Sequence, residues 1–316
     1  MGGGLARVAA NSAKSRKTGG SAQMIPAIRG RVAENAVLGP MTWFRVGGSA
    51  EFLVRPADTE DLCALLQKLP LEMPVTVIGA ASNMIVRDGG INGVAIKLAR
   101  GFGEIIVEED AIIAGAAALD VTVAEHAAAA ALTGVEFLSG IPGTIGGAVA
   151  MNAGAYGGDI KQVLDWVELV TRSGELVRLP CEALLLSYRH ANLPPDGVVV
   201  RVRLRAQKGD AKRIGARMAE IKASRELSQP VRARTGGSTF ANPPGQKAWE
   251  LIDAAGCRGL KHGGAQVSQL HCNFLLNTGD ATAADLESLG EEVRRRVAAA
   301  SGVSLHWEIK RIGVPG

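Results

Sequence analysis

Apolar and polar positions alternate along the chain in a way that predicts short strands and helices in succession. A helix is predicted from Ala57 to Lys68, with Asp58 as its N-cap, because leucines recur there at helical spacing. An Ala-rich helix is predicted from Asp120 to Leu132. Apolar runs bounded by turn-forming residues predict strands at 75–78, 84–87, 94–98, 105–108, 111–114, 167–170, 177–179 and 198–205.

The pattern changes after Lys208-Gly209. A charged amphipathic helix is predicted from Asp210 to Leu227, and further helices are predicted at 247–255 and 283–300, with a strand at 273–277 between them. A terminal strand at 304–309 is predicted to carry Glu308. We therefore predict one domain in residues 26–208 and a smaller α+β domain in residues 209–316.

Composition and charge narrow the classes of protein. The chain has 316 residues, 47% of them apolar, which is enough for the cores of two domains. No apolar run approaches the roughly 20 residues of a membrane-spanning helix, so membrane insertion is not expected. Residues 1–33 hold six basic and no acidic side chains. We predict that residues 1–25 form a disordered basic leader, and we expect no nucleic-acid partner because the remainder is nearly neutral.

The four cysteines indicate reduced thiols in a cytoplasmic protein, since no CxxC spacing occurs. A zinc site built from Cys257, His262, His271 and Cys272 would match none of the common zinc spacings. We therefore predict that the protein binds no metal ion.

Two segments of the chain are rich in small residues, and the first of them directly follows the strand predicted at 75–78. They are Gly79-Ala80-Ala81-Ser82-Asn83 and the segment from Gly140 to Ala148. Without bulky side chains, their backbone N–H groups can approach phosphate oxygens closely, so the pair could hold a dinucleotide. Tight turns between packed elements are the alternative. Neither the G-x-G-x-x-G fingerprint nor a P-loop occurs, which disfavours a Rossmann domain.

Three polar residues stand in unusual surroundings. Arg189 follows a short helical stretch and could hold a carboxylate through two parallel hydrogen bonds. Ser238 follows a glycine in a strained position, and Glu308 is a carboxylate within an apolar segment. Spacing alone leaves the alternatives open: a surface Arg, a turn Ser and a Glu on the wet face of an edge strand.

The motifs of the chain resemble those of the UDP-N-acetylenolpyruvoylglucosamine reductases, and of their type II subgroup in particular. The resemblance runs in order through about residues 25–310. It rests on Thr42-Trp43-Phe44-Arg45-Val46-Gly47-Gly48, Ser82 to Gly90, Ile141 to Ala148, Met151 to Gly157, Ser187-Tyr188-Arg189, Gly237 to Pro243, Gly263 to Ser268 and Glu308. Cys272 and Ala80-Ala81 depart slightly from the family pattern.

The resemblance implies a two-lobed FAD-binding domain of the vanillyl-alcohol-oxidase type, followed by a smaller α+β substrate-binding domain. It also implies non-covalent FAD, NADPH as co-substrate and a UDP-sugar substrate, with no obligate protein partner. The implied FAD contacts are Arg45, Gly79, Ala80, Ala81, Ser82, Asn83, Gly143, Thr144, Ile145, Gly146, Gly147 and Ala148. The implied substrate contacts are Arg225, Asn242 and His271.

The resemblance gives the three unusual polar residues a common purpose. Hydride added at C3 of an enolpyruvyl group drives negative charge towards its carboxylate, which Arg189, with Glu308 nearby, would stabilise. Ser238 would then donate a proton to C2. Two other functions stay open: another FAD oxidoreductase of the same superfamily, such as an oxidase with covalent flavin, and a module that binds a sugar nucleotide without turnover.

Overall fold

The computed structural model describes residues 25–316, so the predicted leader falls almost wholly outside the described residues. The helices are α1 (Thr59–Lys68), α2 (Asp120–Ala129), α3 (Ile145–Ala150), α4 (Ile160–Val163), α5 (Ala211–Ser228), α6 (Ala248–Ala254) and α7 (Ala283–Ser301). The strands of the first half are β1 (Arg31–Val37), β2 (Ser49–Arg55), β3 (Val75–Val77), β4 (Met84–Val86), β5 (Ile91–Ile96), β6 (Ile105–Val107), β7 (Ala111–Gly115), β8 (Leu132–Thr133), β9 (Gly154–Ala155) and β10 (Gly158–Asp159). Those of the second half are β11 (Leu164–Val170), β12 (Leu176–Pro180), β13 (Val198–Arg205), β14 (Gln207–Lys208), β15 (Lys261–His262), β16 (Ala265–Val267), β17 (Leu275–Asn277) and β18 (Lys310–Ile312).

Local sequence signals set several of these elements. The side chain of Asp58 accepts a hydrogen bond from the backbone N–H of Asp61, which confirms the predicted cap of α1. Strand β13 has the predicted bounds. Helix α2 ends three residues earlier than predicted, because Ala131 adopts a left-handed conformation and Leu132 enters β8, which pairs with β14.

Two sheets form the two lobes of the first domain. One has the strand order β1-β2-β5-β3, with β2, β5 and β3 parallel to one another. The other is antiparallel, in the order β12-β11-β13-β7-β6. Helix α1 packs its leucines between the lobes, where they meet Val170, Val198 and Val200 of the second sheet. The lobes therefore share a hydrophobic core, and a cleft opens beside it.

The smaller domain packs α6 and α7 around the antiparallel sheet β15-β16-β17. Its core also takes in Phe44, Val46 and Ile85 from the first domain. Helix α5 contacts α2 and carries Met218 against the core of the second lobe. The boundary between residues 208 and 209 stays a prediction, and this packing ties the two sides closely together.

The predicted terminal strand at 304–309 is wrong. In that segment only Trp307 forms a bridge, to Phe240, while Leu305 and Ile309 bury their side chains in the core. The strand begins at Lys310 instead and pairs in parallel with β4 of the first domain. Glu308 therefore lies not in a strand but in the irregular segment just before β18, where the chain crosses back between the domains.

Candidate active site

A cavity of about 430 Å³ lies between the two lobes, and we call it the larger cavity. Both segments rich in small residues line it, one after β3 and the other at the start of α3. The predicted contacts on its wall are Gly79, Ala80, Ala81, Ser82, Asn83, Gly143, Thr144, Gly146, Gly147 and Ala148. The two segments, which are far apart in the sequence, thus line the same cavity.

Glycines let the two segments approach each other. A Cβ on Gly79 would lie 2.8 Å from Oγ1 of Thr144, and one on Gly146 would lie 2.9 Å from Cβ of Ala116. The N–H groups of Ile145 and Gly146 donate to the carbonyls of Ala118 and Ala116. Gly146 is therefore needed for packing against β7 and its following turn, which is a different reason from the close approach to a ligand that its motif suggested.

The ionisable groups on the wall of the larger cavity are Lys97, Lys310 and Asp120. The Nζ of Lys97 donates to the carbonyl of Gly79 at 2.6 Å, and burial lowers its pKa. Both carboxyl oxygens of Asp120 are buried and have no hydrogen-bond partner among the described residues. Burial raises the pKa of Asp120 well above its ordinary value.

A smaller cavity of about 150 Å³ adjoins the larger one. Arg189, Ser238 and Glu308 all line it, although they come from three distant parts of the chain. Five residues line both cavities: Ser82, Asn83, Ile141, Met151 and Ala153. A ligand in one cavity can therefore lie against a ligand in the other.

Arg189 and Glu308 form an ion pair at the smaller cavity. The Nε of Arg189 donates to Oε1 of Glu308 at 2.8 Å, and its Nη2 donates to the carbonyl of Gly154 at 3.0 Å. Arg189 lies in a tight turn with a positive φ of 55°, shortly after the 3-10 helix Cys181–Leu184, which confirms the predicted helical stretch before it. The guanidinium is thus fixed at two points.

The Glu308 side chain is only 9% exposed. Burial raises its pKa above the ordinary value, although the charge of Arg189 acts in the opposite direction. Its backbone is held as well, since its N–H donates to the carbonyl of Thr239 and its carbonyl accepts from the side-chain amide of Asn83. One residue of the larger cavity, Asn83, therefore fixes the segment that carries Glu308.

Ser238 lies in a loop whose conformation depends on the two glycines before it and on the side chain of Asn273. Gly237 before it has a φ of 79°, and Gly236 packs so closely on Phe44 that a Cβ would meet the ring at 2.3 Å. The side chain of Asn273 both donates to and accepts from the backbone of Phe240. The Ser238 hydroxyl makes no hydrogen bond to any of the described residues and is available to a ligand.

Arg225, near the end of α5, also lines the smaller cavity. Its Nε is buried without a partner among residues 25–316, and burial lowers its pKa. This end of the smaller cavity therefore offers a cation to a polar ligand.

Four predicted contacts lie away from both cavity walls. Arg45 is exposed and donates to the carbonyl of Pro40, and the side chain of Ile145 is buried in the core. Asn242 accepts a hydrogen bond from the N–H of Ala248, and His271 packs its ring near those of Trp249 and Phe274. Their roles stay predictions, because the structure does not bring these side chains to the cavities.

Lys97, Asp120 and Asn273 are residues of the site region that the sequence did not single out. A lone Lys directly after an apolar strand and a lone Asp at the start of an Ala-rich helix were the available signals. Among residues 25–316, no group of three or more His, Cys, Asp or Glu side chains is arranged to hold a metal ion. Within that range, no helix is both long and apolar enough to cross a membrane.

Two parts of the chain match models of known protein families. Residues 50–180 match the model of an FAD binding domain. Residues 229–312 match the model of the C-terminal domain of UDP-N-acetylenolpyruvoylglucosamine reductase. Together the two matches confirm the predicted order of a cofactor domain followed by a smaller domain.

Comparison with individual proteins gives the same result over nearly the whole chain. The UDP-N-acetylenolpyruvoylglucosamine reductase of Granulibacter bethesdensis is 66% identical over 93% of this chain and 96% of its own length. That of Acidiphilium cryptum is 65% identical over 92% of this chain and 94% of its own. The crystal structure of the enzyme from Thermus caldophilus, 35% identical, matches 91% of this chain and 100% of its own with a TM-score of 0.79.

Proposed function

The chain belongs to the family of UDP-N-acetylenolpyruvoylglucosamine reductases, and from this premise we propose how its two cavities divide the reaction. It is an FAD-dependent oxidoreductase that reduces the enolpyruvyl group of UDP-N-acetylenolpyruvoylglucosamine to yield UDP-N-acetylmuramate in peptidoglycan synthesis. In our proposal the larger cavity holds FAD without a covalent bond, and the smaller cavity receives the enolpyruvyl group. The five shared wall residues bring the two groups into contact.

The residues of the larger cavity fit FAD. Gly147 faces open space, since a Cβ there would find only Oγ1 of Thr144, at 3.6 Å, and small residues line the opposite wall. The buried, unpaired carboxyl of Asp120 is a polar group that a ligand could satisfy. The chemistry that bound FAD supplies is the transfer of hydride from NADPH to C3 of the enolpyruvyl group. NADPH as the source is part of the proposal.

In our proposal the residues of the smaller cavity stabilise negative charge on the substrate and donate a proton to it. As hydride reaches C3, negative charge develops towards the substrate carboxylate, and the fixed guanidinium of Arg189 stabilises it. Because Nε and Nη2 of Arg189 are bound to Glu308 and Gly154, its Nη1 is the group we expect to meet the carboxylate. Ser238 donates a proton to C2, and Arg225 binds the diphosphate of the sugar nucleotide.

The observation that carries this proposal is the meeting of Arg189, Ser238 and Glu308 at a cavity that shares a wall with the proposed FAD cavity. A sugar-nucleotide binder without turnover would need no such proton donor beside a cofactor site. The remaining parts of the proposal follow family membership: the type II subgroup, a cytoplasmic location, and a UDP-sugar and NADPH as partners, with no obligate protein partner.

The proposed roles of the two cavities can be tested by measuring the two half-reactions separately under anaerobic conditions. NADPH should bleach the yellow flavin of the purified protein, and UDP-N-acetylenolpyruvoylglucosamine added afterwards should restore the colour with formation of UDP-N-acetylmuramate. Reoxidation by oxygen alone, with no response to the sugar nucleotide, would favour an oxidase of the same superfamily. A colourless protein that binds the sugar nucleotide would favour the module without turnover.

A further inference from the structure

Asp120 lies between the two segments that line the larger cavity. It is the first residue of α2, and its backbone N–H donates to the carbonyl of Gly143. A Cβ built on Gly143 would lie 2.7 Å from Oδ2 of Asp120 and 3.8 Å from Oγ of Ser82. The carboxyl therefore stands beside Gly143 of the second segment and close to Ser82 of the first.

This carboxyl makes none of the contacts that usually accompany a buried acid. The Asp120 residue is fully buried, yet its side chain does not cap α2, and neither Lys97 nor Lys310 on the same wall forms an ion pair with it. Asp61 is the contrasting case: it is also buried, but its carboxylate accepts hydrogen bonds from three backbone N–H groups. Asp120 retains unsatisfied hydrogen-bonding capacity that points to a ligand.

The neutral form of Asp120 is the one that its surroundings favour. An isolated carboxylate in an apolar cavity carries a large desolvation cost, and burial raises the pKa of Asp120 accordingly. A protonated carboxyl has an O–H to donate, and no described residue accepts it. Phosphate oxygens are strong acceptors, and their negative charge would favour the proton on Asp120 further.

We propose that Asp120 is a ligand of FAD, with a neutral carboxyl that donates a hydrogen bond to the diphosphate held between the two segments. This inference rests on the proposed placement of FAD in the larger cavity. No bond is made or broken, and the proton stays on Asp120. The residue acts in binding the cofactor and takes no part in the transfer of hydride.

The proposal predicts the pH dependence of FAD binding. The diphosphate raises the pKa of Asp120 above its value in the free protein, so the complex retains a proton that the free protein loses first. Affinity should therefore be constant below the pKa of the free protein and fall as pH rises from that pKa to the higher pKa of the complex. Lys97 and Lys310 face the same cavity, so their contribution must be separated by substitution at Asp120 itself.

The test compares Asp120→Asn with Asp120→Ala in the full-length holoenzyme. Release of FAD on dilution is followed by flavin fluorescence across the neutral and alkaline range. Asn keeps the size and an N–H donor, so Asp120→Asn should retain affinity within a few-fold and lose the alkaline decline. Asp120→Ala should bind FAD about 10- to 100-fold more weakly, as expected for the loss of a hydrogen bond to a charged group.

Asp210→Asn is the matched control, because Asp210 caps the exposed start of α5 outside the cavity walls, and Asn caps helices equally well. Weakening of Asp120→Asn to the level of Asp120→Ala would overturn the neutral donor and indicate a carboxylate that accepts from a hydroxyl of FAD. Wild-type affinity in both variants would remove Asp120 from the cofactor site. A wild-type protein that binds no FAD would instead contradict the placement of the cofactor itself.

Discussion

The walls of the two cavities differ in the kinds of side chain that they present. The wall of the larger cavity consists mostly of Gly, Ala and other small residues, with Lys97, Asp120 and Lys310 as its ionisable groups. The smaller cavity has two arginines, two serines and a buried glutamate at its wall. The larger cavity therefore presents mainly backbone groups and small side chains, and the smaller cavity presents charged side chains beside a serine hydroxyl.

This difference predicts opposite sensitivities to substitution. A small side chain added in the larger cavity should exclude the cofactor, whereas a charge removed in the smaller cavity should leave the cofactor bound and slow one half-reaction. The first effect is one of packing and the second is one of chemistry. Flavin content and the two half-reaction rates measure them separately.

The largest effect is expected from Gly146→Val. A Cβ at this position would already lie 2.9 Å from Cβ and 3.2 Å from the carbonyl oxygen of Ala116, and a β-branched side chain adds further atoms. The start of α3 must then shift, and the purified protein should be colourless or weakly yellow.

Gly215→Val is the matched control, since a Cβ on this glycine of α5 meets nothing within 4 Å. Absorbance of bound flavin per protein gives the comparison, with far-UV circular dichroism to verify folding. Full FAD occupancy in Gly146→Val would remove the α3 segment from the cofactor site.

Ser238→Ala should slow the half-reaction with the enolpyruvyl substrate and leave the half-reaction with NADPH nearly unchanged. The change removes one hydroxyl that bonds to no described residue, so folding and flavin content should be preserved. NADPH should bleach the flavin at a near-native rate, while reoxidation by the enolpyruvyl substrate should slow by about 10²-fold or more, as for loss of a general acid.

Ser173→Ala, in the exposed turn between β11 and β12, provides the control for removal of a serine hydroxyl. Stopped-flow absorbance would follow both steps, and Ser238→Cys should recover part of the rate because a thiol also donates a proton. An equal loss in the NADPH step would mean that Ser238 organises the cofactor site and is not the proton donor.

Glu308→Gln should lower activity without lowering stability. The folded state binds a proton at Glu308 more tightly than the unfolded state, because burial raises the pKa of this carboxyl. Its contribution to stability is therefore greatest below the pKa of the unfolded chain and is lost as pH rises through the higher pKa of the folded protein. Gln is neutral throughout and can still accept from Arg189, so the stability of the variant relative to wild type should increase with pH.

Thermal unfolding at several pH values checks this trend. The rate of flavin reoxidation by substrate should fall by about 10- to 100-fold, because the carboxylate that holds the Arg189 guanidinium is replaced by a neutral amide. Glu168→Gln is a comparison for loss of an arginine-paired glutamate outside the cavities. A stability deficit that grows with pH would contradict the assignment of burial as the dominant influence on Glu308.

Local signals in the sequence were sufficient for much of the fold. The Asp58 cap and the bounds of β13 were predicted from neighbouring residues alone, and the structure confirms both. The two segments of small residues were also picked out locally, and both line the larger cavity. The pairing of β18 with β4 joins residues more than 220 positions apart, so no local pattern could reveal it. The terminal strand was misplaced for this reason.

Residues of the site that belong to sequence motifs could be predicted, whereas the contacts that position them depend on packing and could not. Arg189, Ser238 and Glu308 converge as the family resemblance implied, but their distances depend on the crossing chain and on Asn83 and Asn273. Arg45 and Ile145 belong to the motifs yet point away from the cavities. A motif identifies a segment, and only the packed structure decides which of its side chains face inwards.

The smallest effect is expected in the free energy of unfolding of two glycine variants, Ala80→Gly and Ala81→Gly. Their comparison separates the influence of backbone conformation from that of side-chain size in the wall of the larger cavity. Ala81 is 3% exposed and has a φ of 53°, a conformation that costs an L-residue roughly 1–2 kcal/mol, whereas its neighbour Ala80 is not among the residues with positive φ. Replacement by Gly relieves that cost only at Ala81, while both replacements lose a methyl group and increase the freedom of the unfolded chain. Ala80→Gly should therefore destabilise the holoenzyme by about 1 kcal/mol more than Ala81→Gly in denaturant unfolding. Equal destabilisation by the two variants would mean that the turn around Ala81 relaxes freely, and the larger cavity would then be less rigid than its reliance on backbone shape requires.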